Sequence, residues 1–191
     1  MKNFQILGQG VDVAPLLNAV LRNDLWNKNL LRTTHPESPH KQVDDIWLRF
    51  NEIPTVTGNP ILDSRTALHS VTDDKESINY PAWWALPEAQ NIALNLMRQM
   101  RGERLGRVLI TRLAPGKTIA PHVDGGAPAE YYDRFHVSLQ GLPGQLFRCG
   151  DETVQMRTGE VWWFQNSIEH EIVNNSSDDR VTLILDIRTP R

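Results

Sequence analysis

The 191-residue sequence predicts a mainly β protein of jelly-roll type with flanking helices. Three observations predict it. The chain changes character near residue 106, from helix signals to strand signals. Beyond that point come short runs rich in Val, Ile, Leu, Phe and Trp, punctuated by Gly, Pro, Asn or Asp. Roughly eight short strands at such spacing close into a barrel or stack as two sheets.

The elements follow in order. Asp12 is placed to cap a first helix, with Pro15 in its opening turn and Leu16, Leu17, Val20, Leu21 and Leu25 at helical spacing. IWLRF (46–50) and ALHS (67–70) read as short strands in an otherwise loop-rich stretch. A second helix is predicted over 87–103, with Pro87 at its start, Ile92, Leu94, Leu96 and Met97 as apolar positions, and Gly102 near its end. The later strands are RVLITRL, RFHVSLQG, GQLFRCG, ETVQMR, GEVWWFQ, HEIVNN and RVTLILDIR. One domain over 1–191 is expected. Residues 1–105 form a helical and loop cover over one sheet, and 106–191 form the β core.

Composition narrows the class. Apolar residues at 40% and charged ones at 23% fit a water-soluble globule, and the net charge of -3 offers no basic surplus for nucleic acid. No uninterrupted apolar run approaches the ~20 residues of a membrane span. The opening MKNFQILGQGVDVAPLLNAV lacks a signal-peptide layout, and the single Cys149 cannot form an intrachain disulfide. A cytoplasmic protein is expected. Cys149, beside Gly150 near a turn, reads as an incidental thiol.

The chemistry centres on Pro121-His122-Val123-Asp124. Alternate residues of an extended segment share a face, so His122 and Asp124 can present an imidazole nitrogen and a carboxylate oxygen to one ion. His170, in the strand-like 168–174 segment, is the candidate third ligand. Two histidines and one carboxylate on one side of an octahedral ion leave three positions open, the facial triad of non-haem Fe(II) oxygenases. Two open positions suit a bidentate keto acid and the third suits dioxygen. His-X-Asp alone is common, and a polar turn before Gly125-Gly126 is the plain alternative.

Two strands strengthen the reading. In RVTLILDIR, Val181, Leu183, Leu185 and Ile187 form an apolar face, while Arg180, Thr182, Asp186 and Arg188, with Ile184, form the other. Arg180 follows His170 by ten residues, a hairpin's length, and a guanidinium beside the metal can fork onto a dicarboxylate. Arg134, His136 and Ser138 alternate with Phe135, Val137 and Leu139 in the same way. The sequence alone leaves open whether that polar face lies inside the barrel or in solvent.

The stretch from Thr111 to Arg188 resembles the aspartyl/asparaginyl β-hydroxylase family of Fe(II)/2-oxoglutarate oxygenases, which includes free-proline hydroxylases. TRLAPGKTIAPHVDGG is similar to the family's first metal motif, RFHVSLQG to the following Arg-X-His strand, and GEVWWFQNSIEHEIVNNSSDDRVTLILDIR to the closing motif. The resemblance implies a double-stranded β-helix, with Fe(2+), 2-oxoglutarate and O2 as the cofactor and cosubstrates. It implies His122 and His170 as ligands, Arg180 on the far carboxylate of 2-oxoglutarate, Thr111 as its hydroxyl helper, and Arg134 with His136 steadying the keto acid near the metal. Some members carry glycine where this chain has Asp124; the triad is complete here, and no one member's substrate transfers safely.

The expected activity is hydroxylation of an unactivated C–H bond of an amino acid, peptide or protein residue, with release of succinate and CO2. No catalytic side chain beyond the metal centre is needed, so Glu169, Glu171 and Asp178 receive no role. Two other readings stand beside it: a cupin-like metalloenzyme without 2-oxoglutarate, and a non-catalytic module that binds a small acid or metal. Trp83-Trp84 and Arg49 are weighed as pocket residues against packing and surface roles. Trp162 and Trp163 are expected to point to opposite faces. His35, His40 and His69 are not expected to bind metal.

Overall fold

The computed structural model describes residues 2–53 and 74–191. Its elements in order are β1 (Phe4–Gly8), α1 (Ala14–Arg22), α2 (Leu31–Thr34), β2 (Val43–Phe50), β3 (Ile78–Asn79), α3 (Pro81–Ala85), α4 (Pro87–Gln99), β4 (Arg104–Leu113), β5 (Thr118–His122), α5 (Gly126–Tyr131), β6 (Asp133–Gln140), β7 (Gln145–Cys149), β8 (Glu152–Val154), β9 (Val161–Phe164), β10 (His170–Asn174) and β11 (Arg180–Arg188).

The strands form two antiparallel sheets. The larger runs β1-β9-β6-β11-β4-β2-β3, and the smaller runs β5-β10-β7-β8. β11 sits mid-sheet, and its side chains are buried from Arg180 to Ile187. Its alternation explains the layering. Val181, Leu183, Leu185 and Ile187 join Ile110, Val137 and Val161 against Leu16 and Val20 of α1 and Ala89, Ala93 and Leu96 of α4. The opposite face turns toward the small sheet, where Phe147, Ile119, Ile172 and Cys149 meet Phe4, Trp162 and Phe164. The result is a jelly roll with helices on one sheet, the expected fold class.

Several details differ from the sequence expectation. β1 was not foreseen, and the 46–50 run is an eight-residue strand, β2, inside the large sheet. The N-terminal part therefore supplies three strands as well as a helical cover. Asp44, Asp45 and Arg49 break the apolar pattern of β2, and each is bonded in the fold. The second helix ends at Gln99, earlier than 103. Gly102 lies beyond it, where an added Cβ would sit 2.6 Å from Ile187 and 2.7 Å from the Met97 sulfur, so close packing demands glycine there. Leu25 falls outside α1, whose N-cap is Val13 rather than Asp12; Asp12 accepts the Ala14 N–H at 3.3 Å from one residue before the cap. Gly125-Gly126 opens the short α5. The 67–70 strand and His69 lie outside the described residues.

Leu183 is fully buried at the centre of the sheet–helix core. Leu183→Ala is expected to cost about 3 kcal/mol of stability and lower Tm by roughly 6–12 °C, measured by thermal denaturation.

Candidate metal centre

β5 and β10 are neighbours in the small sheet, and their register places His122 directly opposite His170. The two ring centroids lie 4.3 Å apart. Asp124 follows just past the end of β5, its N–H bonded to the Asn166 carbonyl at 3.1 Å. Its Oδ1 is 3.7 Å from His122 Nε2, and its Oδ2 is 3.8 Å from His170 Nε2. One ligand atom from each of the three lies within 4.8 Å of the others.

The donor chemistry suits a divalent metal. His122 Nδ1 is 2.7 Å from the Ala120 carbonyl and His170 Nδ1 is 2.9 Å from the Ile168 carbonyl. A carbonyl only accepts, so each Nδ1 carries the proton and each Nε2 keeps a lone pair for a metal. Burial holds both imidazoles below their ordinary pKa, which favours the neutral ligating form. Burial alone would raise the Asp124 carboxyl, but Arg134, His170 and His122 outweigh it and hold it below the usual range.

The polar faces of β6 and β11 point inward. Thr182 pairs across with Thr111 and with Ser138, Ile184 with His136, and Asp186 with Arg134. Thr111, His136, Arg180, Thr182 and Asp186 are all buried. The solvent reading of both faces is therefore excluded. Arg134 spends its guanidinium on carboxylates: Nε and Nη2 donate to Asp186 at 2.8 and 2.9 Å, and Nη1 donates to Asp124 at 2.7 Å. His136 stacks on Phe147 at 5.3 Å. Burial, with Arg180 and Arg134 nearby, keeps it neutral.

Arg180 is different. Among the described residues its Nη2 is buried without a hydrogen-bond partner, and burial alone pushes its pKa down to about 10. Its guanidinium lies 6.0 Å from the centroid of Phe147, whose other neighbours include His170 at 6.0 Å. A buried cation without a counter-charge is costly, and a ligand carboxylate would relieve it. The hairpin that delivers it is organised by Asn174, whose Nδ2 donates to Leu113 and Asp178 carbonyls and whose Oδ1 accepts from Ser176.

A cavity of about 260 Å³ opens beside Asp124 and Arg134. Its cationic lining is Arg32, Arg107 and Arg134, and its apolar lining includes Trp47, Phe50 and Ile184. Trp47 stacks on Phe50 at 4.0 Å. His35 and His40 also line it; His40 meets His122 edge-on at 5.0 Å and stands outside the ligand cluster. Sequence reasoning missed this wall. Arg107 and Leu109 share the alternation of Thr111, which is a usable signal; Arg32 sits in a loop-like stretch with none.

Other candidates resolve as packing. Trp83 is buried under the large sheet and Trp84 is exposed, and neither lines the cavity. Arg49 is tied to the carbonyls of Gly106, Ser77 and Leu105 and to Asn79. Trp162 lies between the sheets and Trp163 packs toward the helices. Glu169 and Glu171 pair with Arg148 at the surface.

The sequence profile of the aspartyl/asparaginyl beta-hydroxylases matches residues 79–190, more than half of the chain. The chain belongs to this family. It is 30% identical over 99 residues to the mouse aspartyl/asparaginyl beta-hydroxylase, covering 51% of this chain and 13% of that protein. It is 29% identical over 89 residues to L-proline cis-3-hydroxylase 1 of a Streptomyces species, covering 45% of this chain and 30% of that protein. The chain thus spans only a minor part of these relatives. A crystal structure from Burkholderia pseudomallei, described as an oxidoreductase of the 2OG-Fe(II) oxygenase family, aligns over 98% of this chain and 84% of its own, with a TM-score of 0.52 and 17% identity. That likeness is one of fold. Among the described residues no helix is long and apolar enough to cross a membrane.

Arg32 pairs with Asp45 at 3.1 Å, and the Asp45 side chain is fully buried. Arg32→Ala strands that carboxylate and is expected to cost about 3 kcal/mol, read from the denaturant midpoint.

Proposed function

We propose that this protein is an Fe(II)- and 2-oxoglutarate-dependent oxygenase that hydroxylates an unactivated C–H bond of an amino acid, free or within a peptide or protein. The observation that carries the reading is the joint presence, among the described residues, of a two-histidine, one-carboxylate cluster and a buried arginine whose Nη2 has no hydrogen-bond partner. The first fits a divalent metal with open positions, and the second fits the far carboxylate of a dicarboxylate. A metalloenzyme without a keto-acid cosubstrate has no use for the second, and a simple binding module has no use for open metal positions.

His122, Asp124 and His170 would hold the iron. When bound, iron couples oxidative decarboxylation of the keto acid, releasing succinate and CO2, to insertion of one oxygen atom of O2 into a substrate C–H bond. Arg180 fixes the cosubstrate's distal end, with Thr111 and Thr182 across the adjacent strands as hydroxyl partners. His136 is neutral and donates or accepts beside the keto-acid end near the metal. Arg134 flanks the same end and bonds Asp124. The cavity lined by Trp47, Phe50, Arg32 and Arg107 takes the substrate. Aromatic walls hold an apolar body, and the cations suit a carboxylate. That residues from 31–50 and from 107–184 line one cavity supports reading the chain as a single domain. The relatives named as hydroxylases of aspartyl/asparaginyl residues and of proline agree with an amino-acid substrate. The reading places the reaction in the cytoplasm, and Cys149 stays a free, buried thiol.

The test is substrate-dependent succinate formation from Fe(II), 2-oxoglutarate and O2 over a panel of amino acids and peptides. His122→Ala is expected to abolish it. Arg180→Ala is expected to raise KM for 2-oxoglutarate about 100-fold, since a lost charge-assisted fork costs roughly 3 kcal/mol. Unchanged turnover in both variants would overturn the reading.

A further inference from the structure

Asp124 is the least supported of the three ligand residues. His122 and His170 sit on paired strands, whereas Asp124 occupies the link between β5 and α5, after Val123, which is 53% exposed. Its N–H is anchored by the bond to the Asn166 carbonyl. What holds its side chain is Arg134, through Nη1 to Oδ2 at 2.7 Å.

Arg134 is itself aimed from behind. Asp186 is its direct partner across β6 and β11 and grips Nε and Nη2 with both oxygens, at 2.8 and 2.9 Å. That two-point fork fixes the guanidinium plane and leaves Nη1 directed at Asp124. The Asp186 side chain is 3% exposed and does not line the cavity. One guanidinium shared between two carboxylates leaves the trio with a net negative charge. Were Asp186 neutral, Arg134 would be free to turn fully onto Asp124 and cancel its charge.

Resting on the oxygenase reading above, we propose that Asp186 is a positioning residue for the metal site: acting through Arg134, it orients the Asp124 carboxylate and preserves its negative charge toward the metal. Asp186 touches neither metal nor substrate. Its role resembles that of carboxylates that orient ligating side chains in other metal sites, whose loss weakens metal affinity about 10- to 100-fold.

The experiment titrates the purified protein with Co(II) alone and follows the visible absorption bands, which report ligand number and geometry. Asp186→Asn keeps the shape and removes the charge. It is expected to weaken Co(II) binding about 10- to 100-fold and to alter the bands, while the circular dichroism spectrum is retained. Glu160→Gln is the control: Glu160 is also buried, but bonds Trp162 and the Arg157 N–H instead, and its loss is expected to leave the Co(II) spectrum unchanged. Should Asp186→Asn not fold, Asp186→Ser removes the charge with a smaller polar side chain and leaves Arg134 in place; the same loss of affinity is expected. Co(II) binding by either folded variant within twofold of the unaltered protein, with identical bands, overturns the proposal and leaves the oxygenase reading standing. Absence of Co(II) binding by the unaltered protein overturns both.

Discussion

β11 is buried on both faces, and the two faces carry opposite chemistry. Its apolar set closes the core beneath the helices. Its polar set enters the space between the sheets, where water cannot pay for a charge. Each polar group there must find a partner or await a ligand. Asp186 finds Arg134, while Arg180 faces the ring of Phe147 and keeps a guanidinium nitrogen without a hydrogen bond. Among the described residues the guanidinium of Arg180 is thus a buried cation with an unpartnered nitrogen.

The two sheets divide the work. The small sheet carries the histidines as a cross-strand pair, and the large sheet carries the arginines, His136 and the hydroxyls. Phe147, in contact with His136, His170 and Arg180, is the apolar spacer between them. Sites held by strands keep their geometry better than sites held by loops. The exception is Asp124, whose placement comes from a chain of charged hydrogen bonds instead of from a sheet ladder.

The family match and the cavity do not coincide. The match covers 79–190, whereas Leu31, Arg32, Trp47 and Phe50 of the cavity wall precede it. The matched portion holds the His122–Asp124–His170 cluster and Arg180, and it also supplies Arg107, Leu109, Arg134 and Ile184 to the cavity wall.

Alternation and spacing marked the β-rich architecture and the two-faced strand of Arg180, because strand periodicity is local, and together with the family resemblance they singled out His122, Asp124 and His170. Parity could not decide which face of β6 or β11 points inside. That needed the helices to occupy one side of the sheet and the small sheet the other. β1 escaped notice because a five-residue run carries too short a pattern, and β2 was read short, from residue 46, because Asp44 and Asp45 blur its start until Arg112 and Arg32 pair with them. The link from Asp186 through Arg134 to Asp124, and the cavity wall from residues 31–50, joins groups distant along the chain. Only tertiary packing brings such groups within hydrogen-bonding distance, so only the folded structure could decide them.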